Sequence, residues 1–318
     1  MALDIADIKA EFGAYYLKQG QNLQRLVGLL FRQSVTESLL TPIITDETVY
    51  QAARTLMTRV LQPFQVKFTP LAGVTFEPVA IQQFKFKIDV AEYPDELEAT
   101  WLGFLTGEGI KRSEWPFIRW YIESYLIPQS QEDFEMLEIY NGVYQKPADG
   151  VAGAPGTTMN GLRKAINDQV TAGRIEPIVT GALSTDPLTL VDQIESFVDK
   201  IAKAYWRIPM TLGVSEEVQR RFLRGQERKY GKNTGGGELG EKVNKTNITV
   251  LGAPSMDDSN KIWCTPKPNA ILLKKRTSNE GKFEVENVDR QLKVYSDWSK
   301  GAGFIIPEIV FSNDQDLD

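Results

Sequence analysis

The chain has 318 residues, of which 42% are hydrophobic and 25% charged, and its formal net charge is −6. This length fits one large domain or two coupled subdomains, and no apolar run reaches the roughly 18 residues that a membrane span needs. The acidic balance argues against a surface that grips nucleic acid over its whole extent, although a local basic patch is compatible with it.

The sequence contains no histidine and a single cysteine, Cys264. Histidine is the commonest general base and neutral metal ligand, so its absence excludes Ser-His-Asp catalysis, Cys-His catalysis and Cys/His zinc sites. One cysteine excludes an internal disulfide framework. Acidic pairs such as Asp257-Asp258 and Glu284/Glu286 leave cation binding open, but solvation explains them better. These absences weaken an enzymatic interpretation without eliminating it, because carboxylate chemistry and magnesium sites remain open. We predict a protein that is not an enzyme and has no cofactor.

The first third of the chain predicts helices followed by an extended ribbon. In residues 4–31 apolar side chains recur three and four apart, as in one amphipathic helix or two short ones interrupted near Gly20. This segment would pack on its own core or serve as a docking arm for a neighbour, and a further helix is expected over 46–61. Over 64–90 the period changes to two, which predicts a long β-hairpin. A lone hairpin is marginally stable, so this one must lie on its own sheet or on an adjacent subunit, and the sequence favours its own sheet. Its apolar positions include Phe68, Phe76 and Phe84.

The middle of the chain predicts a long helix and a boundary between subdomains. Helical patterns cover residues 92–105 and 113–141, and Ser113 is the expected N-cap of the second helix. Pro128 is expected to bend or break that helix, because proline lacks the backbone N–H and clashes with the preceding turn. Residues 149–158, rich in glycine, alanine and proline, are the best candidate boundary.

Residues 158–250 predict helices with recognisable caps around one strand. A helix begins near Leu162, Asp186 opens a second one with Pro187 behind it, and residues 208–214 form a buried strand. Ser215 then caps a helix that begins with two glutamates and ends with cations, as the helix dipole favours. The arginines of this helix are Arg220, Arg221, Arg224 and Arg228.

This arginine-rich helix has two interpretations. A run of cations on one helix is typical of helices that contact DNA phosphates. The same residues suit a solvated or subunit-bridging face, because arginine pairs bidentately with carboxylates across interfaces, and we favour this second interpretation. The following Gly225–Asn233 segment is not a phosphate-binding loop, because its spacing is one residue too long and Asn233 replaces the required Ser or Thr.

The last third of the chain predicts short strands and tight turns. Cys264 lies in one of these strands and is expected to be a small core residue. Asn269 is expected in a turn, and Gly301 and Gly303 are expected at a chain reversal or a close backbone approach. The strand candidates are residues 248–251, 262–264, 270–273, 283–286 and 292–295, and a flexible loop is expected over 233–240.

The order of these blocks resembles a known family. Helices, an extended hairpin and a long interrupted helix come first, and an amphipathic helix and a strand follow. The sequence blocks are Gly156-Thr157, 175–178, 181–183, Val214-Ser215-Glu216, 265–269 and 294–304. This order is similar to that of tailed-bacteriophage major capsid proteins with the Hong Kong 97-like fold, particularly those of phages of Bacteroidetes-like bacteria. The resemblance covers residues 64–311 and is loosest in the N-terminal arm.

The resemblance implies an α+β fold and a shell subunit that assembles into hexamers and pentamers of an icosahedral head around double-stranded DNA. It implies no membrane and no sequence-specific DNA contact, and it places the protein in the virion after assembly in the host cytoplasm. Implied partners are other copies of the chain and portal, scaffolding or decoration proteins. The implied parts are an N-terminal arm (1–63), an extended hairpin loop (64–90), a peripheral domain with a long spine helix (91–150 and 275–300) and an axial domain (151–274 and 301–318).

Candidate subunit-interface residues follow from these predictions, and two other functions stay open. The candidates are Arg220, Arg221, Arg224, Arg228, Phe68, Phe76 and Phe84. An encapsulin-like compartment would have the same fold but would enclose protein cargo. A DNA-binding protein would use the Arg220–Arg228 helix, and its binding would weaken steeply with added salt.

Overall fold

The computed structural model describes residues 35–56, 61–70, 75–93, 101–102, 105, 116–231, 241–276, 282–288 and 291–317. Within these residues, helices pack against two sheets, and a separate two-stranded ribbon is attached to one of the sheets. The helix predicted over 4–31, the N-cap Ser113 and the loop predicted over 233–240 lie outside the described residues.

The larger sheet is organised around one long strand, β10 (Gln291–Phe304). Its residues 292–300 pair with β4 (Phe84–Glu92), and its residues 291–295 pair on the other side with β9 (Glu284–Val288). Its last residues pair with β8 (Ala270–Lys274), which pairs in parallel with β1 (Thr41–Ile44). The sequence predicted only residues 292–295 of β10, because its alternating pattern is lost toward the two glycines near its end.

The ribbon is the antiparallel pair of β2 (Val49–Leu56) and β3 (Thr75–Gln82). The helix predicted over 46–61 is therefore wrong, because pairing with β3 overrides the weak three-and-four spacing of its apolar residues. A long hairpin does exist, but its first strand precedes residue 64. The segment expected at its end, β4, pairs instead with β10.

Two glycines of β10 let the base of the ribbon approach the sheet closely. A Cβ on Gly301 would stand 2.2 Å from the carbonyl oxygen of Gln82, and a Cβ on Gly303 would stand 3.0 Å from the side chain of Ile81. The close approach predicted for these glycines is confirmed. At Gly301 only a residue without a side chain leaves room for the backbone at the end of β3, whereas at Gly303 the Ile81 side chain would have to shift slightly.

The residue after β3 closes the base of the ribbon. Gln83 is buried, and its side-chain amide donates to the carbonyl oxygens of Thr45 at 3.0 Å and Glu47 at 2.9 Å. Its backbone N–H donates to the carbonyl oxygen of Thr48 at 2.8 Å. Because β2 begins at Val49, these bonds fix the point where the ribbon leaves the body.

A long helix, α1, runs through Pro128 in four consecutive segments. Of the bend or break predicted at Pro128, the break is wrong, because a π-helical turn precedes the proline and the Ile127 N–H bonds five residues back to Ile122. Pro128 therefore falls in the first turn of a new α segment, where proline is tolerated. The segments are Phe117–Tyr121 (α), Ile122–Leu126 (π), Ile127–Asp133 (α) and Phe134–Glu138 (π).

The segment before α1 agrees in part with its prediction. Of the helix predicted over 92–105, the described residues Trp101, Leu102 and Leu105 are helical, whereas Glu92 ends β4. Trp101 is fully buried, and its ring lies edge-on to that of Phe117 in α1 at 5.9 Å.

The smaller sheet shares a core with two capped helices. Its strand order is β11-β7-β5-β6, with β5 parallel to β6. Asp186 accepts the Thr189 N–H at one helix start, and Ser215 accepts the Val218 N–H at the other, as the sequence predicted. The elements are α2 (Leu162–Thr171), α3 (Pro187–Asp199), β5 (Met210–Ser215), α4 (Glu216–Tyr230), β6 (Ile248–Ala253), β7 (Trp263–Pro266) and β11 (Phe311–Ser312).

Two predicted structural residues lie in or beside this sheet. Cys264 is fully buried in the core, as predicted, and burial raises the pKa of its thiol. Asn269 lies in the turn between β7 and β8, where its side chain donates to Thr265 Oγ1 and accepts the Ile306 N–H at 2.7 Å. The predicted turn is confirmed, and its side chain also ties the end of β10 to the smaller sheet.

A buried carboxylate joins the start of the described chain to the larger sheet. Glu37 is 6% exposed, and its oxygens lie 3.1 Å from the ammonium groups of both Lys274 and Lys300. Lys300 also stands 4.2 Å from the ring centre of Phe134 in α1. Buried charges persist only when they are paired, so this cluster links the Glu37 segment, two strands and the long helix.

The C-terminal segment is held by a buried lysine. Lys261 is fully buried, and its ammonium group donates to the carbonyl oxygens of Gln315 at 2.7 Å and Asp316 at 3.2 Å. Burial lowers the pKa of Lys261 to about 8, although the nearby Asp316 carboxylate opposes this change.

Replacing Gly301 by alanine is expected to lower the free energy of unfolding by about 1–3 kcal/mol, because the new Cβ would overlap the Gln82 carbonyl. Denaturant unfolding of Gly301→Ala and Gly153→Ala measures this difference. Gly153 is the matched control, since its nearest contact would be an ordinary 3.6 Å. Equal losses in the two variants would contradict the account of the ribbon base.

The free energy of unfolding is expected to increase with pH between about 8 and 10.5 through Lys261. In that window the unfolded chain binds the lysine proton and the folded chain releases it, so the cost of burying the charge disappears as pH increases. Denaturant unfolding at several pH values in this window should show that the free energy of unfolding increases more steeply with pH for the wild type than for Lys261→Met. Parallel profiles for the two proteins would contradict this assignment.

Candidate subunit-interaction surfaces

The end of the ribbon carries the most exposed large apolar side chains in the described part of the chain. We call residues 61–70 the ribbon tip. Leu61 is 84% exposed, Phe64 93%, Val66 94% and Phe68 92%. Monomeric proteins rarely leave such a group uncovered, and clustered apolar exposure marks a binding surface.

The polar side chains of the ribbon tip bond to each other across the loop. The Gln62 amide donates to the carbonyl oxygen of Thr69 at 2.8 Å, and the Gln65 amide donates to the hydroxyl of the same threonine. These bonds hold the two sides of the loop together without covering its apolar side chains. The tip therefore presents its apolar group on a closed loop.

The three candidate phenylalanines have different positions. Phe68 is exposed in the ribbon tip, whereas Phe76 lies in β3 and its side chain is outside the described residues. Phe84 is only 5% exposed, and its ring centre lies 4.8 Å from that of Tyr144. Phe84 begins β4 with its side chain turned inward, so we correct it from an interface candidate to a core residue.

The candidate arginines of α4 divide between the surface and the packing of the helix. Arg220, Arg224 and Arg228 are exposed and four residues apart, so they share one face. Arg221 is partly buried and donates to the carbonyl oxygen of Ser184 at 2.9 Å. Over the described ranges, Arg220 and Arg224 form no hydrogen bond or ion pair with their own chain. These two guanidinium groups are therefore free to bind a partner.

The C-terminal end of α4 is tied to α3 by a cluster that the sequence did not predict. Lys229 donates to Asp192 and Glu195 at 2.6 Å each, and the Tyr230 hydroxyl donates to Glu195 at 2.6 Å. Partial burial disfavours the lysine charge, but the hydrogen bonds to both carboxylates raise the pKa of Lys229. The acids recur on one face of α3, which is the signal that could have indicated this pairing.

A smaller exposed apolar group follows the outer side of α1. Tyr125 is 47% exposed, and Met136 and Leu137 are each 38% exposed. Scattered exposure of this degree is common on protein surfaces, so this group is a weaker indication of binding than the ribbon tip.

Several acidic side chains of the described residues serve packing and hydrogen bonding. No group of three or more His, Cys, Asp or Glu side chains in the described ranges is placed to hold a metal ion. None of the helices in this part of the chain has the length and apolar character of a membrane span. The acidic pair Glu284 and Glu286 accepts from the Tyr295 hydroxyl at 2.7 and 3.0 Å, and these bonds raise the pKa of Tyr295.

Solved capsid structures have the same fold as this chain. A chain of the satellite phage P4 procapsid that includes the size determination (Sid) protein matches with a TM-score of 0.60 at 9% identity, covering 98% of this chain and 97% of that chain. The capsid of an empty GTA particle matches with a TM-score of 0.52 at 10% identity, covering 91% of this chain and 98% of that chain. The capsid of Myoviridae phage XM1 matches with a TM-score of 0.52 at 11% identity, covering 87% of this chain and 90% of that chain.

No protein-family model and no curated protein matches the sequence. At these low identities the structural similarity concerns the fold, and it extends over nearly the whole chain. The predicted α+β fold of tailed-phage capsid proteins is confirmed.

Proposed function

We propose that this protein is a major capsid protein. In this role it is a structural subunit that assembles with copies of itself into hexamers and pentamers of an icosahedral phage head enclosing double-stranded DNA. The observation that carries the proposal is the ribbon tip, whose four apolar side chains are more than 80% exposed on a ribbon with a fixed base. In this proposal another copy of the chain covers them, and the similarity to capsid folds supports that assignment.

The mechanism of assembly follows from contacts between different faces of identical subunits. Contacts of this kind close into a ring when the rotation between neighbours is a whole fraction of 360°. Repeated contacts between such rings then close a shell. A ribbon that reaches over a neighbour adds a second contact to each pair, so modest individual affinities act together.

The division into parts is proposed with the boundaries that the resemblance implied. These are an arm over 1–63, a hairpin loop over 64–90, a peripheral domain over 91–150 and 275–300, and an axial domain over 151–274 and 301–318. We propose two changes to the hairpin loop: it also includes 49–56, because β2 pairs with β3, and it ends before β4, because β4 pairs with β10.

Partners and location complete the proposal. The protein would be found in the virion after assembly in the host cytoplasm, with portal, scaffolding or decoration proteins as further partners. Contact with packaged DNA would be independent of sequence, and inward-facing carboxylates of this acidic chain would keep the DNA from adhering to the wall. An encapsulin-like compartment is the alternative within the same fold, and the contents of purified particles distinguish the two.

Electron microscopy and analytical sedimentation of the purified protein test this proposal, and wild-type protein is expected to form capsomers, tubes or closed particles. Changing both Val66 and Phe68 to aspartate should abolish these assemblies while the subunit stays folded, because the buried contact would have to accept two charges. The control is Val151→Asp, at a 64% exposed valine outside the ribbon. A wild-type protein that stays monomeric at high concentration, or a double variant that assembles like the wild type, would contradict the proposal.

A further inference from the structure

A cavity opens where the C-terminal ends of α3 and α4 meet. Its volume is about 290 Å³, and its lining includes the buried apolar residues Val198, Ile201 and Met210 together with the aromatic residues Trp206 and Tyr230. Trp206 is 47% exposed, and its indole N–H is already bonded to the carbonyl oxygen of Ile201 at 2.7 Å. The cavity is smaller than most drug-sized sites but large enough for a long side chain.

The charged residues at this cavity suit a cation. Glu195 is occupied by Lys229 and Tyr230, whereas Asp199 is exposed and, in the part of the chain described, has no hydrogen bond or ion pair. Lys245 is the cation in the lining. With Asp192 and Lys229 counted, three acids stand here against two bases. The Tyr230 ring already faces the ammonium group of Lys229 at 5.2 Å, which leaves the half-exposed Trp206 ring open. The free carboxylate and the Trp206 ring favour a guanidinium group, because guanidinium pairs with carboxylates and stacks on aromatic rings.

The free arginines of α4 lie too far along the helix to fill this cavity in their own chain. Arg220 precedes Tyr230 by ten residues, which is about 15 Å along the helix axis. Arg224 precedes Tyr230 by six residues and lies on a different side of α4, since a helix advances 3.6 residues per turn. In the described ranges, the subunit therefore carries two unpaired arginines on one surface and one unpaired carboxylate, Asp199, at the cavity on another.

We propose that Arg220 and Arg224 of one subunit dock at the α3–α4 cavity of the next subunit, with Asp199 as their ion-pair partner. Charge complementarity carries this choice of occupant, because neither the two arginines nor Asp199 has a partner among the described residues. The contact joins two different surfaces of identical subunits, which is the arrangement that closes a ring. This inference rests on the proposed function and specifies the surfaces by which neighbours around one axis would recognise each other.

Charge reversal tests the contact. The double variant Arg220→Glu/Arg224→Glu and the single variant Asp199→Arg should each reduce the fraction of protein that sediments as capsomers or larger particles by about tenfold. The triple variant that combines them should recover most of the assembly, because the reversed charges again attract each other. The matched control is Arg174→Glu/Asp257→Arg, which reverses exposed charges away from both surfaces and should assemble like the wild type.

The possible outcomes separate this contact from the proposed function. If the wild type assembles and the triple variant is no better than its parent variants, or if the parent variants assemble normally, the contact is wrong and the shell function stands. If the wild type itself does not assemble, both are wrong. Circular dichroism of each variant shows that the subunit is folded before assembly is scored.

Discussion

The structure depends on a ribbon that is fixed at its base and uncovered at its end. The base is held because Gly301 leaves room for the Gln82 carbonyl and because Gln83 bonds to the chain just before β2. The end carries apolar side chains that, within the described residues, lack cover from their own chain. A ribbon without a fixed base could fold back onto the body, whereas the close contact with β10 holds the base of this one in place. The proposed function assigns the covering of the tip to another copy of the chain.

The body that supports the ribbon is joined by buried carboxylates at the end of α1. Glu135 accepts the backbone N–H of Thr36 at 3.0 Å and its hydroxyl at 2.6 Å. Glu138 accepts the backbone N–H groups of Gly156 and Thr158 at 3.0 Å each. Each bond gives a buried carboxylate oxygen a hydrogen-bond partner in place of water. These acids therefore fix the segments before β1 and before α2 on the long helix. The ribbon base thus rests on a frame that is connected through the core.

The sequence predicted the elements whose signal is local. The capped helices α3 and α4, the strand β5 and the turn at Asn269 follow from cap residues, apolar spacing and turn chemistry, and all are found. The strand over Val49–Leu56 was mistaken for a helix because its partner lies about 25 residues further along the chain. Pro128 was expected to interrupt α1 because a sequence gives no sign of the π turn that accommodates it.

The candidate site could be predicted only in its general position. A ribbon with apolar positions was expected, but period-two alternation could not separate the inward-facing Phe84 from the exposed Phe68, since that depends on which sheet each segment joins. The arginines of α4 were recognised as a group, yet only the packing of Arg221 against Ser184 distinguishes it from the free Arg220 and Arg224. The cavity at the end of α3 and α4 joins residues of three segments and has no local signature.

The covering of the ribbon tip by another copy can be measured directly with one thiol. The only cysteine, Cys264, is fully buried with a raised pKa, so it is unreactive in the folded subunit and Phe68→Cys introduces a single accessible thiol. Labelling of this thiol by a water-soluble maleimide is to be timed in dispersed subunits and in assembled particles. We expect fast labelling of the subunits and at least about tenfold slower labelling of the particles, because burial of the tip would exclude the reagent and suppress the thiolate. Equal labelling rates in the two states would show that the tip stays in solvent after assembly, which would contradict the account.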